Sequence, residues 1–330
     1  MTLRIGTRRS ALATTQSGHV ADALRERFGV ATELVEISTD GDRSQAAGTP
    51  LSGPGSSVGV FVSALRDALL AGEVDVAVHS LKDLPTYPAD GITLAAIPQR
   101  EDPRDVVVAR DGLTLGELPP GSRVGTGSPR RVAQIEALGL GVDLVGVRGN
   151  VDTRIAKVTS GEYDAVVLAR AGLARLGRAD EATEVLDPIQ VLPAPGQGAL
   201  AVECRSDDTA TLAVLAGLDD AATRAAVTAE RAALATLEGG CSAPIGALAD
   251  IAEGDDGPEL WLRAVALSTD GALAVRRSAS TPLGEDPTTW SDAAATLGAA
   301  LANEMIEDGA AELTVPLPDP SARSAKVHNA

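Results

Sequence analysis

Three stretches of the chain place arginine beside the small polar residues that begin helices. Thr7-Arg8-Arg9-Ser10 precedes one helical run, Thr126-Gly127-Ser128-Pro129-Arg130-Arg131 a second, and Arg148-Gly149-Asn150 a third, with Arg154 one turn inside it. In each, Ser or Asn stands where a side chain caps a helix, and Pro129 fits the first helical residue. A helix start offers free N–H groups and the positive end of the dipole, which together make an anion site. Arginine adds a planar fork that matches carboxylate or phosphate. The chemistry indicated is the gripping of an anion with several acidic groups.

Two further segments carry reactive groups. In Val78-His79-Ser80-Leu81-Lys82-Asp83-Leu84-Pro85, Lys82 and Asp83 are adjacent charges at the end of an apolar run. They read either as an ordinary turn pair or as part of a cationic pocket. In the second reading Asp83 is the one carboxylate, ionised and able to pass protons or to steady a developing cation. In Leu237-Glu238-Gly239-Gly240-Cys241-Ser242-Ala243-Pro244, Cys241 follows two glycines on a loop, a setting suited to a thiol that reacts or carries a group. Cys204, within Leu200-Ala201-Val202-Glu203-Cys204, reads as an inert core thiol. His19 falls on a helix, His79 in a strand and His328 in the tail, so no Cys/His cluster offers a metal site.

The elements that position these groups follow from hydrophobic spacing. Leu3–Gly6 is extended, Ala11–Phe28 carries Leu12, Val20, Leu24 and Phe28 at helical spacing, and Glu33–Ile37 alternates as a strand. A helix over Phe61–Leu70 and strands over Val74–Val78 and Ile92–Ile97 continue a βαβ rhythm. Thr49–Gly59, rich in Gly, Ser and Pro, interrupts it as an exposed loop, either a lid or an insertion. After the polar Pro98–Pro103 a second series begins. Its strands are Asp105–Ala109, Arg123–Thr126, Asp143–Val147 and Asp164–Leu168, and its helices Arg130–Leu138, Val151–Thr159 and Arg170–Leu176. Val191–Gly196 closes the series and forms the second half of a hinge if the chain returns to the first unit. In open α/β sheets such strand-to-helix junctions lie together at the carboxyl edge. An Ala-rich helix (Ala222–Leu237), strands at Ile245–Ile251, Glu259–Leu267 and Ala272–Ala279, and a helix over Thr288–Met305 then predict a smaller α+β unit. The expected domains are 1–98 with about 197–218, then 103–193, then 220–315, followed by a flexible tail, 316–330.

Charge and composition narrow the function. The 330 residues hold 46 acidic and 28 basic side chains, a formal net charge of −18, which argues against a broad basic face for nucleic acid or anionic membrane. Between Ser122 and Arg178, however, eight arginines and one lysine meet five acidic residues, a local excess of four positive charges. A basic segment in an acidic protein fits a small polyanionic ligand. With 44% apolar residues and only six aromatic ones, the cores must be Ala, Val, Leu and Ile. Two cysteines exclude a disulfide framework and point to a reduced, cytoplasmic setting. The first residues, MTLRIGTRRSALATTQSGHV, lack an apolar signal region, and no run reaches the ~18 apolar residues of a membrane helix. The chain is expected to be soluble and unexported.

Taken together, these segments resemble the porphobilinogen deaminase (hydroxymethylbilane synthase) family. RIGTRRSALA, AVHSLKDLPT, REDPRDV, VGTGSPRR, VRGNVDTR, EYDAVVLARAGLARLG, LPAPGQGALAVECR and LEGGCSAPIG occur in the family's order and spacing, from Arg4 to about Gly246. The resemblance implies two periplasmic-binding-protein-like (type II) α/β domains joined by a double hinge, plus the smaller α+β domain. It implies an enzyme, a transferase of tetrapyrrole (haem and porphyrin) biosynthesis, that condenses four porphobilinogen molecules head to tail into hydroxymethylbilane and releases ammonia. The implied cofactor is dipyrromethane, two porphobilinogen units held by a thioether on Cys241. Cofactor-binding positions carried over by motif are Cys241, Lys82, Asp83, Thr126, Ser128, Arg130, Arg131, Arg148 and Gln197. Those for substrate are Arg8, Ser10, Arg148, Arg154 and Arg175.

Asp83 is the catalytic residue the resemblance implies, facing the pyrrole N–H groups and stabilising the azafulvene cation left when the amine departs. The acetate and propionate groups of porphobilinogen make the growing chain a polyanion. One departure stands out. Where many members have a basic residue shortly before the Phe of the lid loop, Ser56-Ser57-Val58-Gly59-Val60-Phe61 has Val58. Phe61 could stack on a pyrrole or fill a helix-start core position. The implied partner is the small-molecule substrate, with no nucleic acid or membrane, and the implied state a monomer. The rival reading is a non-catalytic two-domain small-anion binding protein, against which the missing signal region and the LEGGC cysteine both speak.

Overall fold

The computed structural model describes residues 2–37, 57–237, 244–254 and 257–313, with residues 57–61 described by backbone alone. The Cys241 loop, the Thr49–Ser56 part of the lid loop, residues 316–330 and the side chains of Val58 and Phe61 lie outside the described residues.

Along the chain run β1 (Thr2–Thr7), α1 (Ala11–Phe28), β2 (Ala31–Glu36), α2 (Ser57–Leu70), β3 (Val76–Ser80) and β4 (Ile92–Ala96). Next come β5 (Asp105–Ala109), β6 (Arg123–Gly125), α3 (Pro129–Glu136), β7 (Asp143–Val145), α4 (Val151–Thr159), β8 (Ala165–Ala169), α5 (Arg170–Arg175) and β9 (Glu184–Val185). The remainder is β10 (Leu200–Arg205), α6 (Thr209–Leu215), α7 (Ala221–Thr236), β11 (Ile245–Gly254), β12 (Gly257–Leu267), β13 (Ala274–Pro282), α8 (Trp290–Glu307) and α9 (Ala310–Leu313).

Two five-stranded sheets repeat one plan. Their orders are β2-β1-β3-β10-β4 and β7-β6-β8-β5-β9, and in each the fourth strand runs antiparallel to both neighbours. That shared order with one reversed strand is the type II binding-protein-like arrangement. β10 lies in the first sheet although it follows β9 of the second. The chain therefore passes between the sheets twice, through residues 97–104 and 186–199. The passes touch at Gly198: with φ +89, a Cβ there would fall 2.3 Å from the Glu101 carbonyl oxygen, so only glycine fits.

The cores are largely aliphatic, as the shortage of aromatics requires, with Tyr163 buried in the second unit. Leu3, Ile5, Val20, Leu24 and Val76 pack with Val202 and Leu215 in the first unit, and Val107, Val124, Ile135, Val167 and Leu186 in the second. The third unit folds the antiparallel sheet β11-β12-β13 against α7 and α8. Its Ala-rich helices approach so closely that a Cβ on Gly298 would lie 2.2 Å from the Ala229 carbonyl oxygen. Small side chains thus replace large ones by bringing backbones together.

Some elements differ from the sequence expectation. α2 starts at Ser57, so the end of the Gly/Ser-rich stretch is helical. β10 was not foreseen as a strand: it is buried on both faces and so shows no alternation, and Glu203 breaks its apolar run. The short β9 and α6 were likewise not expected, their runs being too brief for a periodicity to register.

Candidate active site

Local rules put the arginine junctions where the sequence placed them. Ser10 caps α1, its Oγ accepting from the Ala13 N–H at 3.3 Å, and Asn150 caps α4, its Oδ1 accepting from the Thr153 N–H at 2.8 Å. Ser128 occupies the cap position of α3 but makes no capping bond; instead its N–H donates to Thr126 Oγ1 at 3.3 Å. The half-buried Ser128 hydroxyl therefore sits at a helix start without the role a cap would give it. β6 and β7 are parallel neighbours, Gly125 opposite Val145, so the junctions after them lie side by side at the carboxyl edge. Ser80, at the end of β3, is tied to α1 by Gln16 Nε2 at 2.9 Å, which brings the Leu81–Asp83 turn close to the first junction.

The centre of the site is a buried charge network. Asp105, the first residue of β5, is 0% exposed and holds both arginines of the second junction: Arg130 Nη2 at 2.8 Å and Arg131 Nη2 at 2.7 Å. Arg130 Nη1 also donates to the Leu192 carbonyl and Arg131 Nη1 to the Val167 carbonyl. Gln197, on the second pass between the sheets, donates its amide to Asp105 at 2.8 Å and to the Pro103 carbonyl at 2.6 Å. Its Oε1 accepts from Lys82 Nζ at 3.1 Å. Lys82 of the first sheet and Arg130 and Arg131 of the second are thereby joined through two residues on the connecting segments.

The electrostatics follow from this packing. Burial alone would raise the Asp105 pKa, but Arg130 and Arg131, with hydrogen bonds from Arg131 and Gln197, hold it well below the usual carboxylate range. Burial pushes the Lys82 ammonium down to about 8, against the opposing pull of Asp83 and Asp105. Arg154 is lowered by burial and then by Arg131, which places it on the same cationic cluster. Its Nε donates to the Gly149 carbonyl at 2.9 Å.

What the cluster lacks is an acceptor. Arg130 Nε and Arg131 Nε are both buried and meet no hydrogen-bond partner among the described residues. A buried N–H left unpaired costs about 1–3 kcal/mol, so two on adjacent guanidinium groups call for acidic oxygens. Carboxylate groups fit, and the half-buried Asp83 stands next to Lys82 at the rim.

Other expected positions lie further out. Arg148, three residues past the end of β7, is exposed with no ion pair to a described residue. Arg8 and Ser10 follow β1 in the first unit. Arg175 turns instead to a cavity of about 360 Å³ between α1 and the first connecting segment, lined also by His19, Arg27, Arg100 and Glu101 but by neither Lys82 nor Arg131. Its Nη2 donates to the Gly198 carbonyl at 2.6 Å. His79 is buried beside Glu203 at 3.3 Å, a strand residue rather than a base at the site. Burial raises the Cys204 thiol to about 11, which keeps it a thiol. The residue that sequence reasoning missed is Asp105. Its signals were its place in the REDPRDV motif and an acid opening the otherwise apolar run Asp105-Val106-Val107-Val108-Ala109.

The family model described as "Porphobilinogen deaminase, dipyromethane cofactor binding domain" matches residues 3–213, and "Porphobilinogen deaminase, C-terminal domain" matches residues 224–307. The porphobilinogen deaminase of Nocardia farcinica is 58% identical over 329 residues, covering 98% of this chain and 91% of that protein. Porphobilinogen deaminase 1 of Streptomyces coelicolor is 58% identical over 316 residues, covering 94% of this chain and 97% of that protein. A periplasmic substrate-binding protein of Coxiella burnetii overlies 66% of this chain and 91% of its own with a TM-score of 0.41 and 12% identity, too distant to bear on the site.

Proposed function

The chain belongs to the porphobilinogen deaminase family, and from that premise we propose how its own residues carry the reaction. The reaction is a transfer: four porphobilinogen molecules are condensed head to tail, with water, into hydroxymethylbilane and four ammonia molecules, in tetrapyrrole biosynthesis. The cofactor is dipyrromethane. When bound, it supplies the free pyrrole carbon to which the first substrate is joined. Its acetate and propionate groups fit the site on one observation, the two orphaned Nε–H donors of Arg130 and Arg131.

In this reading Lys82, Arg130, Arg131 and Gln197 hold the cofactor carboxylates, with Thr126 and Ser128 at the start of α3 and with Arg148. Arg148 and Arg154, together with Arg8 and Ser10, bind the carboxylates of incoming substrate. Arg175 belongs to that set by its motif position alone, since its side chain lines the separate cavity beside α1. Each guanidinium is charged throughout, so these residues bind and orient but move no proton. Proton movement falls to Asp83. Its carboxylate faces the reacting pyrroles, offsets the positive charge that develops as the substrate amine leaves, and takes up the proton released when the new carbon–carbon bond forms. Cys241 anchors the cofactor through its sulfur. The domain division 1–98 with about 197–218, 103–193 and 220–315, and action as a cytoplasmic monomer, belong to the same proposal.

The intact mass of the purified protein tests this reading. An increment of two porphobilinogen units that is lost in Cys241→Ser supports it. An unmodified chain from cells with ample porphobilinogen overturns it.

A further inference from the structure

Asp105 opens β5 opposite Ala169, where the first connecting segment enters the second sheet. Both of its oxygens are engaged: Oδ1 accepts from Arg131 and Gln197, Oδ2 from Arg130. Each guanidinium is gripped on a second nitrogen by a main-chain carbonyl, Leu192 for Arg130 and Val167 for Arg131. A planar fork fixed at both Nη atoms has no rotational freedom left, and its Nε–H edge points one way. Gln197 is fixed by the same carboxylate. With its amide nitrogen given to Asp105 and Pro103, only its oxygen can face Lys82. One buried acid thus sets the direction of donors that belong to both sheets.

We propose that Asp105 is a positioning residue for the reaction. It touches neither cofactor nor substrate, but aims the Arg130 and Arg131 Nε–H groups and, through Gln197, the Lys82 ammonium at the carboxylates of the bound chain. This rests on the reading that those three cations hold the cofactor. The competing role is charge neutralisation alone, in which any acid at position 105 serves. Geometry separates the two, because a glutamate keeps the charge but moves the acceptor atoms by one methylene.

The test uses the full chain as Asp105→Asn and Asp105→Glu. The chain has only three lysines, Lys82, Lys157 and Lys326, so the titration of Lys82 can be followed by 13Cε NMR. The charged groups that face Lys82 are Asp83, Asp105, Arg130 and Arg131. Removing the Asp105 charge leaves the two arginines less opposed, so in folded Asp105→Asn the Lys82 midpoint falls by about one pH unit. In both variants the rate at which unloaded protein acquires its two-unit mass increment falls by about tenfold, the weight of one charge-assisted hydrogen bond. If Asp105→Asn does not fold, Asp105→Glu decides: slowed acquisition of the increment at near-normal thermal stability supports positioning, and a rate within roughly threefold of the unsubstituted protein overturns it. A folded Asp105→Asn with an unchanged acquisition rate and an unchanged Lys82 midpoint overturns it as well. Should the unsubstituted protein lack the two-unit mass increment, the underlying reading fails first and takes this inference with it. With the increment present, unaltered variants count against Asp105 alone.

Discussion

Arg100 and Glu230 are bonded twice, Nη1 to Oε1 at 2.7 Å and Nη2 to Oε2 at 3.0 Å, with the carboxylate wholly buried. Arg100 lies on the first pass between the sheets and Glu230 on α7 of the third unit. The same carboxylate accepts from the Gly196 N–H at 2.6 Å, on the second pass, and from the Ala249 N–H at 2.9 Å, on β11. Arg100 Nε in turn donates to the Gln197 carbonyl at 2.8 Å. The third unit therefore grips both connecting segments at one point, directly behind the Lys82–Gln197–Asp105 network.

Glu230→Gln leaves Arg100 buried without its charge partner. Breaking a buried pair on one side costs about 3–5 kcal/mol. Urea unfolding at neutral pH is expected to show a loss of about 3 kcal/mol, and a change of under ~0.5 kcal/mol, the size of an ordinary surface substitution, contradicts the structural role assigned here.

Lys82 gives cofactor uptake a pH limb. Its pKa is lowered to about 8, so the ammonium is present below that pH and lost above it. The rate at which unloaded protein acquires its mass increment is expected to fall as pH rises through about 8. Lys82→Arg, which stays charged, flattens that limb. A limb of the same midpoint in Lys82→Arg assigns it to another group.

Arg130 and Arg148 are predicted to differ in stability but not in kind of function. Each contact to a ligand carboxylate is worth about 1.5–3 kcal/mol, or roughly ten- to hundredfold in binding. Both Arg130→Ala and Arg148→Ala weaken cofactor assembly or elongation by that order. Only Arg130→Ala also lowers the thermal midpoint, because it strips a partner from buried Asp105, whereas Arg148 is exposed and unpaired among the described residues. Equal melting of the two variants contradicts the difference.

Glu203 is tied to Arg66 of α2 at 2.7 and 3.0 Å and lies beside His79. Burial opposes its charge, but His79 and Arg66 outweigh burial and bring its pKa to about 2, from 4.5. A carboxylate with a lowered folded pKa stabilises fully above its unfolded value and loses that contribution as pH falls from 4.5 towards 2. The stability gap between the protein and Glu203→Gln is therefore largest at neutral pH, about 3 kcal/mol, and closes across that acid window. A gap independent of pH assigns the loss to shape rather than charge.

Much of this arrangement was readable beforehand, and the reason is local. Ser10, Asn150 and Pro129 announce helix starts because capping chemistry is confined to a few residues, and the strand-to-helix junctions fix the carboxyl edge. The family motifs then led from those junctions to Lys82, Asp83 and Gln197. What could not be read was the pairing across distance. Asp105 meets Gln197 because β5 and the second connecting segment come together in space, and nothing in their own neighbourhoods encodes that meeting. Glu230 was hidden for the same reason, inside an Ala-rich helix that reads as plain packing. β10 escaped because burial on both faces erases the alternation that marks a strand.

The central claim is that Asp83 performs the proton and charge work while the surrounding cations only hold the chain. Its most direct test is turnover of Asp83→Asn in protein whose intact mass shows the two-unit increment. The account predicts a loss of roughly 10²–10⁴-fold in kcat with the increment retained. A loaded Asp83→Asn protein with kcat within roughly threefold of the unsubstituted protein contradicts it.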